Sequence, residues 1–170
     1  MNVEFTGADR LELEKQVCAD SLAEYTKRAW RALEPGVHLD WGWCLDATSD
    51  HLQALAEGEF NRLLINIPPG TMKSTMTSVF FPSWLWGPFE QPHLKIIGAS
   101  YERGLATRDN RRNRLLVEDP WFQNRWPTAL TSDQNEKTYF ENEYRGWRQC
   151  CPVKSMTGKR GDVVIWDDPL

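Results

Sequence analysis

The chain has 170 residues, of which 41% are hydrophobic and 26% charged, and its formal net charge is −4. That composition suits a folded domain with its own core and excludes wholesale disorder. The acidic balance argues against a dedicated double-stranded DNA binder, whose surface is usually basic, and leaves any DNA contact local or to another part of the protein. The cysteines at 18, 44, 150 and 151 form no C-x-x-C pair and His38, His51 and His93 are scattered, a pattern that disfavours a zinc site and fits a reducing cytosol. The amino terminus lacks the basic and apolar regions of a signal peptide, and no run approaches the ~18 apolar residues of a membrane span. Nine tryptophans read chiefly as packing residues.

In chain order, Leu11, Cys18, Leu22, Tyr25, Ala29 and Leu33 share one helical stripe, predicting a helix from Asp9, its N-cap, to Leu33 before Pro35-Gly36. A second short helix is predicted to end at Glu57-Gly58. Arg62 to Ile67 is an apolar run of strand length, broken by Pro68-Pro69-Gly70. Lys73 to Phe81 reads as a helix that Pro82 ends or kinks. Leu94 to Ala99 reads as a buried strand, Tyr101 to Glu118 as an arginine-rich helix, and Thr138 to Pro152 as a hairpin turning near Arg145-Gly146. Val163 to Trp166 is a further buried strand running into Asp167-Asp168. This order predicts an α/β fold with a mainly parallel sheet flanked by helices, divided into a helical region over 1–58 and an α/β core over 59–170.

Two motifs follow predicted strands, the end at which open α/β sheets bind ligands. In the first, a strand delivers the loop Pro69-Gly70-Thr71-Met72-Lys73-Ser74-Thr75. Phosphates require inward-pointing backbone N–H groups, a helix N-terminus, a lysine and a magnesium ligand. Gly70 permits close backbone approach, Lys73 would reach the β- and γ-phosphates, and Ser74 would ligate magnesium. The strict pattern G-x-x-x-x-G-K-[ST] fails at both glycines, where Ile67 and Met72 stand, so a proline-broken turn that happens to carry a lysine is the competing reading. In the second motif, an apolar strand ends in Asp167-Asp168, the form of a Walker B strand. Asp167 would hold magnesium, directly or through water, and Asp168 would orient an attacking water. The competing reading is a turn, which Asp167-Asp168-Pro169 also favours.

Arg103, Arg108, Arg111, Arg112 and Arg114 crowd the arginine-rich helix. A solvated face, a finger acting on a neighbouring subunit's phosphate, and contacts to DNA phosphates all account for them. Ser155 to Asp162 is a basic, glycine-containing loop near the active edge, with a phosphate or subunit contact by Arg160 as an alternative to an ordinary connection. Trp41 to His51 is a candidate adenine region because it precedes the first predicted strand.

Leu64 to Ser74 resembles the variant Walker A loop of tailed-phage terminase large subunits, some of which carry Met where other P-loop proteins carry Gly. Ala99-Ser100-Tyr101 with Leu105-Ala106 and the arginine-rich helix resembles the segment after that family's second strand, and Thr157 through Pro169 resembles its approach to Walker B. The likeness spans about residues 40–170. It implies an additional-strand, RecA-like P-loop NTPase fold, ATP and magnesium as ligands, and the ATPase portion of a motor that packages viral DNA into procapsids in the host bacterial cytoplasm. It implies as partners double-stranded phage DNA, a portal protein, a small subunit and a homo-oligomeric ring, with no membrane. Lys73, Ser74 and Asp167 match the family's nucleotide and metal positions, while Asp168 stands where many members use glutamate. The family's coupling motif, last sheet strands and nuclease domain have no counterpart before Leu170. The expectation is therefore a chain incomplete at its carboxyl end, without nuclease activity. A generic P-loop ATPase of the helicase or repair type, and an inactive prophage remnant acting only as a binding module, are the alternatives.

Overall fold

Thr6 opens the first helix through a capping box: its backbone N–H donates to Asp9 Oδ2 at 2.8 Å, and its Oγ1 accepts from the Asp9 N–H at 3.2 Å. Asp9 is thus the third helical residue rather than the cap. The computed structural model describes residues 6–168, so Pro169 lies outside the described residues. The predicted single helix is two, α1 (Gly7–Asp20) and α2 (Leu22–Leu33). Ser21 divides them in an extended conformation, and its Oγ accepts from the Glu24 N–H at 3.2 Å. Serine competes with the helix interior for backbone bonds and favours a cap, which the stripe of apolar residues does not reveal.

Helix α3 (Trp43–Ala56) follows. Residues 62–67, predicted as a strand, lie in no ladder. Their exposure alternates as in a strand: Leu63 and Ile65 pack against the core while Leu64 is 93% exposed. The side-chain pattern is that of a strand, but a strand also needs a hydrogen-bonding neighbour, and among the described residues this segment has none.

Lys73 to Trp86 is one helical run in three parts: α4 (Lys73–Thr75), a π-turn (Met76–Phe80) and α5 (Phe81–Trp86). Pro82 does not end the run. The chain accommodates it two residues past the π-turn, where the wider winding displaces the bonds that proline would break.

The sheet has the order β2-β3-β4-β1-β5, from β1 (Ile96–Ser100), β2 (Leu130–Asn135), β3 (Tyr139–Asn142), β4 (Trp147–Pro152) and β5 (Val163–Asp167). Strand β1 pairs in parallel with β4 and β5, while β3 pairs antiparallel with β2 and β4. The fold is α/β, as expected, but the sheet is mixed rather than mainly parallel. The predicted hairpin is β3–β4, turning through Arg145 at φ 64°, and β2 extends it by a strand the sequence did not suggest. Helices α6 (Arg103–Glu118) and α7 (Pro120–Gln123) join β1 to β2.

One hydrophobic cluster joins the amino-terminal helices to the sheet through Leu22, Tyr25, Phe80, Trp84, Ile96 and Phe140. Tyr25 donates its hydroxyl to Ser83 Oγ at 2.7 Å, and Trp84 Nε1 donates to the Cys18 carbonyl at 2.8 Å, so the polar ends of both buried rings are satisfied. Trp121 and Trp126 pack on Tyr25 at centroid distances of 5.8 and 5.7 Å. Trp43 and Trp166 are exposed, contrary to a uniform packing role. No helix of the described residues is long and apolar enough to cross a membrane.

Candidate functional site

Two left-handed residues shape the loop before α4: Gly70 at φ 82° and Met72 at φ 59°. Met72 stands at the second glycine position of the strict pattern and adopts the conformation glycine would take, at a backbone cost of about 1–2 kcal/mol for a residue with a Cβ. Thr71 Oγ1 donates to the Pro68 carbonyl at 2.6 Å, closing the loop on itself, and the Met76 N–H donates to the Met72 carbonyl at 2.8 Å, starting the helix. Met72 thus departs from glycine in residue type while holding a left-handed backbone of the kind glycine favours. Pro69 and Gly70 are exposed, and Thr71 through Thr75 are partly buried.

Strand alternation sets the other half. Register aligns Ser100 with Asp167 and Gly98 with Ile165, so Asp167 lies on the helix-covered face with Ser100, Gly98 and Arg148. Its side chain is 10% exposed. Asp168 leaves the strand at φ 44°, a left-handed conformation that aspartate tolerates, and its side chain is 62% exposed.

These halves meet. Lys73 Nζ lies 2.5 Å from Asp168 Oδ1 and 3.8 Å from Asp167 Oδ1, across 95 residues of sequence. The hydrogen bond that Lys73 donates to Asp168, with the charges of both carboxylates, raises the Lys73 pKa above the ordinary lysine value, so the ammonium is charged at neutral pH. Ser74, next in α4, and Asp167 offer hard oxygen donors of the kind magnesium takes, with waters and phosphate oxygens completing its shell. Among the described residues there is no group of three or more His, Cys, Asp or Glu side chains able to hold a metal, so any ion here would rely on such outside ligands.

The arginines of α6 separate into different environments. Arg112 donates through Nη1 to Thr75 Oγ1 at 3.1 Å and through Nη2 to Glu34 Oε1 at 2.5 Å, tying the loop helix to the end of α2. Arg114 donates to Asn135 and pairs with Glu118. Arg108 is half exposed and forks onto Asp109, at 2.8 Å from Nε to Oδ1. Arg103 and Arg111 are exposed. A purely solvated face therefore describes only part of this helix.

The loop at Ser155–Asp162 starts near the carboxyl end of β4 but does not stay there. Asp162 Oδ2 accepts from the Lys95 N–H at 2.8 Å, and the Asp162 N–H donates to the Lys95 carbonyl at 2.8 Å. Lys95 precedes β1, so Gly161-Asp162 docks at the amino ends of β1 and β5, about 16 Å of strand from Asp167. Arg160 enters β5 from that far end, which corrects its expected place beside the active edge. Helix α3, which contains most of the Trp41–His51 segment, packs behind the loop helix, where Ser49 Oγ lies 4.0 Å from Met76 Sδ.

Sequence reasoning missed Glu34, Asn113 and Arg148, none of which belongs to a local motif, and gave Ser100 no role beyond its place in the Ala99-Ser100-Tyr101 segment. The one available signal was Pro82: a proline in a helix frees the carbonyl four residues earlier, and Ser78 O is taken up by Arg148 Nη2 at 2.5 Å. Comparison finds no matching family model, curated protein or solved structure for this chain.

Proposed function

We propose that the chain binds a magnesium–nucleoside triphosphate at Lys73 and the Asp167-Asp168 pair, as the ATPase portion of a terminase-type motor that packages viral DNA in a bacterial cytoplasm. The observation that carries the nucleotide reading is the convergence of Lys73 with both carboxylates at the carboxyl end of β5. A left-handed loop, a lysine and an acidic strand end, brought together from separate parts of the chain, match what a triphosphate needs: cation, backbone donors and oxygen ligands. The DNA-packaging reading rests on the order of motifs resembling terminases, and with it come double-stranded DNA, a portal, a small subunit and a ring of copies as partners.

Each residue has a physical task in this reading. Lys73 exchanges the Asp168 carboxylate for phosphate oxygens. Asp168, released from the lysine, accepts a hydrogen bond from the attacking water and orients it. Ser74 and Asp167 would hold magnesium, which when bound would neutralise phosphate charge. Pro69 to Thr75 wrap the phosphates. The Lys73–Asp168 pair thus competes with nucleotide, and that competition gives the test a sign.

Magnesium-ATP affinity is measured for the chain and two variants. Lys73→Ala is expected to weaken binding by at least about tenfold, the loss of a charge-assisted hydrogen bond. Asp168→Asn is expected to bind ATP at least as tightly as the unsubstituted chain, because its lysine is no longer held, and to lose any turnover. Equal binding by the chain and Lys73→Ala removes the assignment. A helicase or repair-type ATPase would show the same affinities but stimulation by single-stranded DNA, and a binding module without ATPase function would bind no nucleotide at all.

A further inference from the structure

Arg148 is 1% exposed, on the helix-covered face of β4. Its Nε donates to Asn110 Oδ1 at 3.0 Å, and its Nη2 donates to the Ser78 carbonyl that Pro82 leaves free. Gly98 on the neighbouring strand lies against the guanidinium: a Cβ there would sit 3.4 Å from Nη2. Burial pushes the Arg148 pKa down to about 10, which leaves the guanidinium charged at neutral pH. A buried cation without an ion pair is costly unless polar groups surround it.

The third nitrogen, Nη1, has no hydrogen-bond partner among the described residues, and neither has Ser100 Oγ, itself 2% exposed. Both residues line one cavity of about 10 Å³, together with Gly98, Asp109 and Asp167. That volume is about one water molecule, and a site for water needs two to four polar partners. A phosphate or a hydrated cation is too large for it. Nη1 can only donate, and an ionised carboxylate can only accept, so the group that joins them must do both. Asp109 is already forked by Arg108, whereas the contact from Lys73 to Asp167 is a long 3.8 Å. Asp167 is the carboxylate with more accepting capacity to spare.

We propose that a single buried water in this cavity links Arg148 Nη1 and Ser100 Oγ to the Asp167 carboxylate, making Arg148 a positioning residue for the magnesium end of the site. The role of Asp167 in this proposal rests on the nucleotide reading above. One guanidinium then joins the π-turn of the helix that carries Lys73 and Ser74 to the carboxylate at the end of β5, so the two halves of the site share a rigid support. Ser100 holds the water from the central strand.

Two measurements test it on the whole chain. A crystal structure is expected to show a water within about 3.2 Å of Arg148 Nη1, Ser100 Oγ and an Asp167 carboxylate oxygen; a dry cavity, or a water out of reach of Asp167, overturns the proposal. In solution, ATP affinity is measured with magnesium and with EDTA. The ratio of the two is expected to fall about fivefold in Ser100→Val, whose extra methyl displaces the water. Ser100→Ala, which fits the space without strain, provides a second folded variant and is expected to lower the ratio less. An unchanged ratio in the folded Ser100 variants overturns the positioning role. If the unsubstituted chain binds no nucleotide, the nucleotide reading fails, and the crystallographic water alone decides whether the link exists.

Discussion

Met72 shows how a single residue can keep a backbone shape while abandoning the residue type associated with it. Its φ of 59° is the glycine conformation, and its side chain packs against the core, which offsets the backbone cost. The two effects can be separated. Met72→Ala keeps a Cβ in the left-handed region and removes the packing; Met72→Gly removes both. Urea denaturation is expected to find Met72→Gly more stable than Met72→Ala by about 1 kcal/mol, because only alanine retains the steric penalty. The reverse order would mean that the left-handed conformation is absent in solution. Lys73, Asp167 and Asp168 were legible as candidates because each lies in a short motif whose chemistry is local. Arg148 was not, since a buried arginine in a strand is indistinguishable in sequence from an exposed one.

At the scale of elements, helix ends depend on particular side chains that periodicity passes over. The apolar stripe of residues 11–33 continues through Ser21, yet the backbone is extended there and α2 begins anew. Ser21→Ala removes the acceptor for the Glu24 N–H and is expected to cost about 1 kcal/mol in thermal or urea unfolding. No loss would mean that the two helices merge in the variant. The loop helix shows the same lesson from the opposite direction. Pro82 was legible as a break, but the chain answers with a π-turn, and the released carbonyls find donors elsewhere: Ser78 O in Arg148 and Val79 O in Asn113 Nδ2, at 2.7 Å. Residues 62–67 carry the alternation of a strand without a partner, because pairing depends on what lies alongside and not on the segment itself.

Across the whole molecule, a division at residue 58 was the sequence expectation, while one apolar cluster runs from Leu22 and Tyr25 to Phe140. Tyr25–Ser83, Trp84–Cys18 and Arg112–Glu34 link the amino-terminal helices to the remainder by polar contacts as well. With so continuous a core, far-ultraviolet circular dichroism and tryptophan fluorescence are expected to report a single coincident urea transition. Two separated midpoints would show that the helical region unfolds independently. Strand β5 is an edge, with Val164 and Trp166 exposed at 49% and 59%.

The sequence by itself determined the α/β class and the approximate bounds of β1, α6, the β3–β4 hairpin and β5, and it marked Lys73 and Asp167-Asp168 as candidates, because periodicity and motif chemistry act over a few residues. Tertiary structure decided that the sheet is mixed, that residues 62–67 stay unpaired, that Arg160 lies at the far end of β5, and that Lys73 reaches Asp168 across the fold. Those outcomes depend on ladder partners, strand direction and three-dimensional proximity, which are properties of the folded chain and leave no mark within any short stretch of it.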